Sequence, residues 1–573
     1  MIRRAVVLSF VVMLTLTGWA APASANDLVS RMTLPEKVGQ MFVSYVYGAS
    51  ATTPAAADIT ANQAAYGVDT GAEAVAKYHL GGVIYFTWSD NLANPPQIAS
   101  LSNGLQQAAL ADSGIPLQIS TDQEGGIVNR IGAPLAISPG NMAVGATFDP
   151  RAAYDAAKVG GTQLKALGIN VVDAPVVDVN TNPRNAADGP RAFGDRTKLV
   201  SALGVAAVRG YAAAGIGSQA KHFPGLGDTT VNTDNGVAVT DETREQIMAT
   251  HVPPFRAAIA AGVPSIMAAH IVAPALDPSG APASLSKPIV TGLLRDTLHY
   301  DGVVITDALD AAALGSIPAD RIVLDAIEAG DDQLLMPKNV PGAIQAVLDA
   351  VAAGTVAEAR IDASVRRILR MKARLGLFGD QPVPTPVVGT PEQVATMADI
   401  AARSVTSLRD TALPLQPGQG VLVTGWGVST TQNLTNGLIA RGLSTTRFYT
   451  GSPTAAVIAQ AVAAAQAADV TVVTTYNAWG DLNQQNLVAA LLATGKPIVV
   501  ASVGGPYDIA YFPQATTYLA AYDYQPVSVT ALADVLAGRT QATGRLPVTI
   551  RSADGSAVLF PYGSPRPGSP AGA

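Results

Sequence analysis

Short apolar runs alternate with alanine-rich stretches along the first two thirds of the chain. The runs are rich in β-branched residues, whereas stretches such as 151–167 and 198–214 carry apolar residues at helical spacing. The predicted strands are Met41–Tyr47, Gly82–Phe86, Pro116–Thr121, Val171–Val177, Gly217–His222, Ser265–His270, Gly302–Thr306 and Gln333–Met336. Strands that alternate with helices in this number predict an α/β fold, a (β/α)8 TIM-like barrel, with an open doubly wound sheet as the alternative.

The pattern changes after the helical stretch 361–377. A proline-rich stretch at 379–386 follows, which is typical of an extended and fairly stiff connector. New apolar runs begin beyond it, with alanine-rich helical stretches between them. They are Gly420–Gly425, Val470–Tyr476, Pro497–Val503 and Thr517–Tyr522. This region predicts a second, smaller α/β sandwich domain.

The N-terminus has the pattern of a secretory signal. Arg3 and Arg4 precede an apolar stretch, 6–16, that is too short to span a bilayer comfortably. Ala23-Ser24-Ala25 then fits a small-residue cleavage site, so we expect the mature chain to begin at Asn26. A retained membrane anchor is the alternative. We therefore expect a secreted, extracellular protein with no membrane association after cleavage.

These boundaries divide the chain into five segments. We predict a signal peptide over 1–25, the barrel over 26–378, a linker over 379–395, the C-terminal domain over 396–563 and a flexible tail over 564–573.

Composition adds limits on the class of protein. The chain has 573 residues, of which 48% are hydrophobic and 14% charged, as expected of a globular chain long enough for two domains. Its formal net charge of -7 argues against nucleic acid or an anionic membrane as a partner. The chain has no cysteine, so no disulfide can form and no lipid can be attached through one.

One carboxylate directly follows a predicted strand, at the position where barrel enzymes carry their chemistry. Asp307 comes after the apolar run 302–306, and the carboxyl ends of barrel strands open into the active site. Such a carboxylate can attack the anomeric carbon of a sugar and form a covalent intermediate. The alternative is an aspartate that caps the helix after it.

Further ionisable residues follow other strands in the same way. Lys221 and His222 end the run that begins at Gly217, and a glycine-rich loop follows them. Asp122 follows the strand 116–121, with Arg130 eight residues later, and Arg191 lies on a long polar loop. Carboxylates with cations beside them suit the hydroxyls of a sugar or an anionic group, although ordinary ion pairs explain any one of them.

Metal and nucleotide sites receive no support from the sequence. The five histidines show no His-x-x-x-His spacing, and cysteine is absent, so we expect no zinc site. Neither a phosphate-binding P-loop nor dinucleotide spacing of glycines is present. We therefore expect no metal and no cofactor.

Together these motifs resemble glycoside hydrolase family 3, in its bacterial two-domain β-N-acetylhexosaminidase branch. The resemblance covers nearly all of the mature chain. It is most specific in the combination of Lys221–Gly225 with Gly302–Asp307. The other segments that carry it are Met32–Met41, Gly81–Phe86, Asp122–Gly126 and Gly544–Val548.

The resemblance implies roles for individual residues. Asp307 matches the family's nucleophile, and His270 lies on a strand that lines the pocket in relatives. Residues that match those holding an N-acetylglucosamine unit are Asp122, Arg130, Arg191, Lys221 and His222.

The chain departs from the branch in the loop that usually supplies the acid/base. Leu226 replaces a histidine, and Asn232-Thr233-Asp234 stands where relatives have Asp-x-His, so the loop has no histidine after His222. Asp234 is then the predicted acid/base, because repulsion by Asp307 and partial burial raise a carboxyl's pKa. The alternatives are another carboxylate, such as Asp228 or Asp481, or a site that binds sugar and turns over slowly.

The resemblance therefore implies a retaining, exo-acting β-N-acetylhexosaminidase whose substrate is an oligosaccharide from chitin or cell-wall glycan. Two alternatives remain open. One is a β-glucosidase of the same family, and the other is an exported sugar-binding protein with an impaired active site.

Overall fold

The structure is a computed structural model that describes residues 25–379 and 382–564. The predicted signal peptide, apart from Ala25, and the predicted tail, apart from Ser564, lie outside the described residues.

The first region is a barrel of parallel strands. The strands are β1 (Phe42–Ser44), β2 (Gly82–Ile84), β3 (Gln118–Thr121), β4 (Val171–Val172), β5 (Gly217–Phe223), β6 (Ser265–Ala268), β7 (Val303–Thr306) and β8 (Leu334–Leu335). From β1 to β7 each strand pairs in parallel with the next in chain order, and β8 pairs with β1. A parallel bridge between Ile305 and Gln333 joins β7 to the segment before β8. This arrangement confirms the predicted (β/α)8 fold.

The strands are shorter than the apolar runs that predicted them. The run 171–177 pairs as a strand only at Val171–Val172, because Pro175 has no N–H to donate to a neighbour. Pairing returns only as a single bridge between Val176 and Lys221. The carboxyl end of β4 is therefore irregular, and it leads directly into a loop that reaches the cavity described below.

Helices cover the outside of the barrel. Their bounds are Ala25–Val29, Leu34–Gln40, Ala56–Tyr66, Gly71–Tyr78, Pro95–Asp112, Asn141–Thr147, Pro150–Ala166, Thr197–Ala214, Arg244–Thr250, Val252–Ala260, Ala319–Ala329, Val340–Ala352 and Glu358–Arg374, with a π-helix at Pro288–Thr297. Short 3-10 turns lie at Gly189–Arg191, Ala283–Leu285, Ala312–Leu314 and Leu377–Gly379. Several helices begin at a capping box, such as Thr70 with Glu73, which satisfies the free N–H groups of the first turn.

The second region contains a mixed sheet with helices on both faces. Its strands are β9 (Thr406–Arg409), β10 (Gly420–Gly425), β11 (Ser444–Tyr449), β12 (Val470–Thr475), β13 (Ile498–Ser502) and β14 (Thr517–Ala520), in the order β9-β14-β13-β12-β10-β11. Its helices are Pro391–Ser404, Val428–Ile439, Ala455–Ala467, Leu482–Leu492 and Pro526–Leu536, with 3-10 turns at Ala478–Gly480 and Pro506–Tyr511. The first of these helices begins inside the predicted linker 379–395.

Three short strand pairings lie outside the two main sheets. Short two-stranded pairings join Gln123–Gly125 with Val128–Asn129, Ala238–Val239 with Ile271–Val272, and Ile550–Arg551 with Val558–Phe560. Within the described ranges, no helix has both the length and the apolar character needed to cross a membrane.

The second domain packs against loops at the open end of the barrel. Gln525 donates from its side-chain amide to the carbonyl of Gly126 at 3.0 Å, next to residues that line the cavity described below. On the neighbouring loop, Asn180 donates to the hydroxyl of Tyr507 at 2.9 Å. The backbone N–H of Thr549 donates to Asp195 at 2.7 Å. The second domain thus supports loops that shape the barrel's mouth.

Candidate active site

A cavity of about 390 Å³ opens at the carboxyl ends of the barrel strands. Its volume suits a small ligand such as one sugar unit. All seven residues that the sequence analysis placed at the site line this cavity: Asp122, Arg130, Arg191, Lys221, His222, Asp234 and Asp307. Apolar side chains cover other parts of the wall: Ile84, Phe86, Leu226, Met267, Leu335 and Met336. A mixed lining of this kind matches a sugar ring, which has polar edges and apolar faces.

Asp307 follows β7 directly, as predicted. Its backbone N–H donates to Ala268 at 2.9 Å, and its Oδ1 accepts the N–H of Ala308 at 2.8 Å. Burial acts to raise the pKa of this carboxyl, but electrostatic attraction to His270, His222 and Lys221, with the hydrogen bond from Ala308, outweighs it, and the pKa is lowered. Asp307 is therefore ionised at neutral pH and can act as a nucleophile.

Buried charges form a network in another part of the wall. The ammonium of Lys221, which is 2% exposed, lies 2.7 Å from Asp122 and 2.8 Å from Glu124. Glu124 also accepts two hydrogen bonds from Arg191, at 2.8 and 2.7 Å. Burial acts to raise the pKa of Glu124, but the charges of Arg191 and Lys221 hold it well below the usual range. The network fixes polar groups that can bind sugar hydroxyls.

Arg130 completes this part of the wall from the cavity's rim. Its guanidinium lies 3.7 Å from Asp122 and 5.9 Å from the centre of the Phe86 ring. It is more exposed than Arg191, so it can adjust to a ligand.

His222 is oriented by Asp178, a buried residue on the loop after β4. Asp178 Oδ2 accepts from the backbone N–H of His222 at 3.0 Å and lies 2.8 Å from its Nδ1. Burial acts to lower the pKa of His222, but the hydrogen bond and charge of Asp178 raise it. The other oxygen of Asp178 accepts the N–H of Leu226 at 2.7 Å. One carboxylate thus positions both the histidine and the start of the following loop.

That loop carries Asp234 to the cavity. The Thr233 carbonyl accepts the N–H of Ala313 at 3.1 Å, which joins the loop to the segment after Asp307. Asn232 Oδ1 accepts the backbone N–H of Asp234 at 2.8 Å, so Asn232 fixes the turn rather than the carboxyl group. Partial burial and the charge of Asp307 raise the pKa of Asp234. Asp234 therefore has the protonation behaviour of a general acid.

The two other carboxylates considered as acid/base are engaged elsewhere. Asp228 bonds the hydroxyl of Thr240 at 3.2 Å, and Asp481 caps the helix Leu482–Leu492 by accepting the N–H groups of Asn483 and Gln484. Neither lines the cavity.

The structure adds residues that sequence reasoning missed. Asp310 lines the cavity, and burial together with the charge of Asp234 raises its pKa. Buried Asp188 lies 3.8 Å from His222, and burial together with the charge of Asp178 raises its pKa to about 7. Asp310 could have been predicted as a site residue, because it lies only three residues after Asp307. Nothing in the local sequence of Asp178 or Asp188 shows that the fold brings them to His222.

His270 contacts the residue that follows the nucleophile. The residue is buried, and its Nδ1 lies 2.7 Å from the Ser284 hydroxyl while its Nε2 lies 2.8 Å from the Ala308 carbonyl. Its ring thus supports the segment that begins at Asp307, and it does not line the cavity itself.

One cluster among the described residues has the composition of a metal site. Ligand atoms of Asp178, Asp188 and His222 lie within 4.8 Å of one another. However, both oxygens of Asp178 already accept N–H groups, and His222 directs Nδ1 at Asp178. Asp178 and His222 are therefore engaged in hydrogen bonds, whereas the Asp188 carboxyl has no hydrogen-bond partner in the described part of the chain and lies 3.9 Å from the Arg191 guanidinium.

Comparisons with known proteins agree with the two-domain architecture. The model of the glycosyl hydrolase family 3 N terminal domain matches residues 33–371, and that of the C-terminal domain matches 213–567. Beta-hexosaminidase A of Pseudoalteromonas piscicida is 33% identical over 550 residues, covering 83% of this chain and 90% of the relative. A beta-N-acetylglucosaminidase/beta-glucosidase of Cellulomonas fimi is 29% identical, covering 82% of this chain and 88% of the relative.

A solved structure extends the similarity to three dimensions. The family 3 β-N-acetylglucosaminidase of Paenibacillus sp. str. FPU-7 superposes with a TM-score of 0.84 at 36% identity. The match covers 90% of this chain and 99% of that one, so it includes both domains.

Proposed function

This chain belongs to glycosyl hydrolase family 3 and is a glycosidase, and we propose that it is a retaining, exo-acting β-N-acetylhexosaminidase. The observation that carries the proposal is the pair Asp307 and Asp234. Both face one cavity, but the pKa of Asp307 is lowered while that of Asp234 is raised. Two carboxyl groups with opposite pKa shifts are what double displacement at a sugar requires.

In the first step Asp307 attacks the anomeric carbon of the bound terminal sugar. A bond forms between its carboxylate oxygen and that carbon while the glycosidic C–O bond breaks. Asp234 donates its proton to the departing oxygen, so the leaving sugar departs as an alcohol. The lowered pKa of Asp307 favours the ionised nucleophile, and the raised pKa of Asp234 favours the protonated acid.

In the second step Asp234, now a carboxylate, takes a proton from water. The hydroxide oxygen bonds to the anomeric carbon, and the bond to Asp307 breaks. Two inversions give a product with the starting β configuration. Asp234 regains its proton, and both groups return to their initial states.

The charged network in the cavity wall holds the terminal sugar. Lys221, Arg191 and His222 can donate to its hydroxyls, while Asp122 can accept from them. Short hydrogen bonds within the network position these groups before substrate arrives. The cavity volume of about 390 Å³ suits one terminal unit, which favours exo action.

Two substrates and two variants can test these roles. Asp307→Ala should abolish release of nitrophenol from nitrophenyl N-acetylglucosaminide and cleavage of chitobiose. Asp234→Ala should reduce kcat/KM for chitobiose by about 10²–10⁴-fold and kcat/KM for the activated aryl substrate far less, because kcat/KM reports the first step and a good leaving group needs no proton. Equal losses of kcat/KM on both substrates, or no loss, would remove Asp234 from the acid/base role.

A β-glucosidase is the second candidate, and the double name of the Cellulomonas fimi relative favours testing it. Higher kcat/KM on nitrophenyl glucoside than on the N-acetylated analogue would establish it in place of the first proposal. A binding protein with an impaired site, suggested by Leu226 and Asp234 in place of histidines, predicts saccharide binding by calorimetry without hydrolysis of chitobiose.

The proposal extends to location and source of substrate. The basic, apolar and small-residue segments at the N-terminus support export, and an exported enzyme meets chitin or cell-wall oligosaccharides. N-terminal sequencing of protein from culture medium should give Asn26 as the first residue. Retention of the full N-terminus in the cell fraction would contradict export.

A further inference from the structure

An exposed tryptophan lies beside the cavity without a role in the mechanism above. Trp88 follows β2, and 54% of its surface is exposed, whereas Trp426 and Trp479 are each more buried. Its indole stacks on the Phe86 ring at 5.0 Å between centres with planes 20° apart. Phe86 itself lines the cavity. The indole therefore continues the cavity's aromatic wall outward to its rim.

The indole is held in place from its sides. Tyr45 packs edge-on against it with ring centres 4.8 Å apart, and Tyr47 does so at 6.1 Å. Packing of this kind limits rotation of the side chain, so little conformational entropy is lost when a ligand binds.

The loop under the indole is also fixed. The buried amide of Asn91 donates to the carbonyls of Val46 and Gly48, at 3.0 and 3.1 Å. The backbone N–H of Gly48 donates to the carbonyl of Ser89 at 2.9 Å. The loops after β1 and β2 thus form one braced unit that presents Trp88 to solvent.

The loops that present Trp88 lie next to the path of the leaving sugar. In an exo-acting enzyme the cavity holds the terminal sugar, so the rest of an oligosaccharide extends outward past the rim, next to the indole that stacks on Phe86. The aromatic unit therefore borders the path of the leaving sugar.

We propose that Trp88 forms a second sugar subsite on the leaving-group side of the cavity. The ligand is a β-linked pyranose, whose apolar face of C–H groups stacks on the exposed part of the indole. The proposal rests on the glycosidase function above and names the residue that binds the second unit of an oligosaccharide substrate.

The test compares substrates that differ only on the leaving side. Chitobiose places a sugar at the proposed subsite, whereas N-acetylglucosaminyl fluoride has a leaving group too small to reach it. Trp88→Ala should lower the ratio of kcat/KM for chitobiose to kcat/KM for the fluoride by about tenfold, as expected for loss of one aromatic anchor. Trp88→Phe should retain most of the ratio. An unchanged ratio in Trp88→Ala would overturn the proposal.

A matched control and a binding measurement complete the design. Tyr449 is 43% exposed on the second domain, so Tyr449→Ala should leave the ratio at the wild-type value. In Asp307→Asn, chitobiose should alter tryptophan fluorescence, and Trp88→Phe in that background should remove the change. A fluorescence change that persists without Trp88 would count against the subsite.

Failure of the proposed function can be told apart from failure of the subsite. If the wild-type enzyme cleaves glucosides and not N-acetylglucosaminides, the same ratio is measured with cellobiose and glucosyl fluoride. A tenfold fall there supports the subsite although the sugar specificity was wrong, and an unchanged ratio overturns it.

Discussion

Asp307 and Asp234 are the same type of residue, and their neighbours give them opposite acid–base behaviour. Attraction to His270, His222 and Lys221 lowers the pKa of Asp307, whereas partial burial and the negative charge of Asp307 raise that of Asp234. The roles of the two residues therefore follow from their surroundings rather than from their residue type.

The pH dependence of kcat/KM should report these two groups. Activity requires ionised Asp307, so it falls as the pH drops through a pKa below the usual aspartate range. Activity also requires protonated Asp234, so it falls as the pH rises through a pKa above that range. Asp234→Ala should lose the fall at high pH on nitrophenyl N-acetylglucosaminide and keep the fall at low pH. Retention of both limbs in this variant would contradict the assignment.

Sequence reasoning found residues that follow strands and missed those that the fold brings from elsewhere. Lys221 and Asp307 each follow an apolar run, which is visible in the sequence. Glu124 belongs to the motif Asp122–Gly126. Its pairing with Arg191 could not be predicted, because the two residues are 67 positions apart in the sequence. Asp178 was likewise visible only as a polar loop residue.

At the scale of elements, the barrel strands were predictable because buried parallel strands are almost continuously apolar. Two strands of the second sheet, β9 and β11, were missed. Both are edge strands, and β11 reads Ser-Thr-Thr-Arg-Phe-Tyr with no buried position along it. β11 therefore lacks the apolar run on which the prediction depended. β9 is buried at Thr406, Ser407 and Leu408, but only the last of these is apolar.

The loop 226–234 depends on the loop after β4, and this dependence can be tested. Asp178 holds the Leu226 and His222 N–H groups, so Asp178→Ala leaves buried donors without a partner. We expect faster amide hydrogen exchange across the loop and a fall in kcat/KM of at least tenfold. Asp241 is exposed just beyond the loop, and Asp241→Ala should change neither quantity. Unchanged exchange in Asp178→Ala would contradict the dependence.

At the scale of the whole molecule, the barrel carries a buried cation away from the cavity. Lys372, on the helix Glu358–Arg374, donates to Gln40 at 2.7 Å and is fully buried. Burial lowers its pKa to about 7. The unfolded chain, with a lysine pKa near 10.4, therefore binds more protons than the folded chain between about pH 7 and 10.

This difference makes stability depend on pH with a definite sign. The contribution of Lys372 to the free energy of unfolding should increase as the pH rises from 7 to 10, by up to ~1.4 kcal/mol per pH unit. Lys372→Met removes the buried amine, so its stability relative to wild type should be greatest at pH 7 and decline towards pH 10. Urea unfolding of both proteins at several pH values measures the difference. A difference that does not vary with pH would contradict the lowered pKa.

The second domain also acts at this scale. Its contacts with Gly126, Asn180 and Asp195 hold loops of the barrel mouth, so the site is assembled by both domains although every lining residue comes from the barrel. No sequence pattern shows which loops two domains share, because such contacts join residues hundreds of positions apart.

In the proposed mechanism Asp307 forms the covalent bond to the sugar. Asp234 is the acid when that bond forms and the base when it is hydrolysed. Trapping the intermediate tests both parts at once. Asp234→Ala, incubated with an activated N-acetylglucosaminide, should still form the glycosyl-enzyme and hydrolyse it slowly, so the adduct accumulates. Peptide mapping by mass spectrometry should place the sugar on Asp307. An adduct on any other residue, or a turnover that leaves no adduct while Asp234 is absent, would contradict the account.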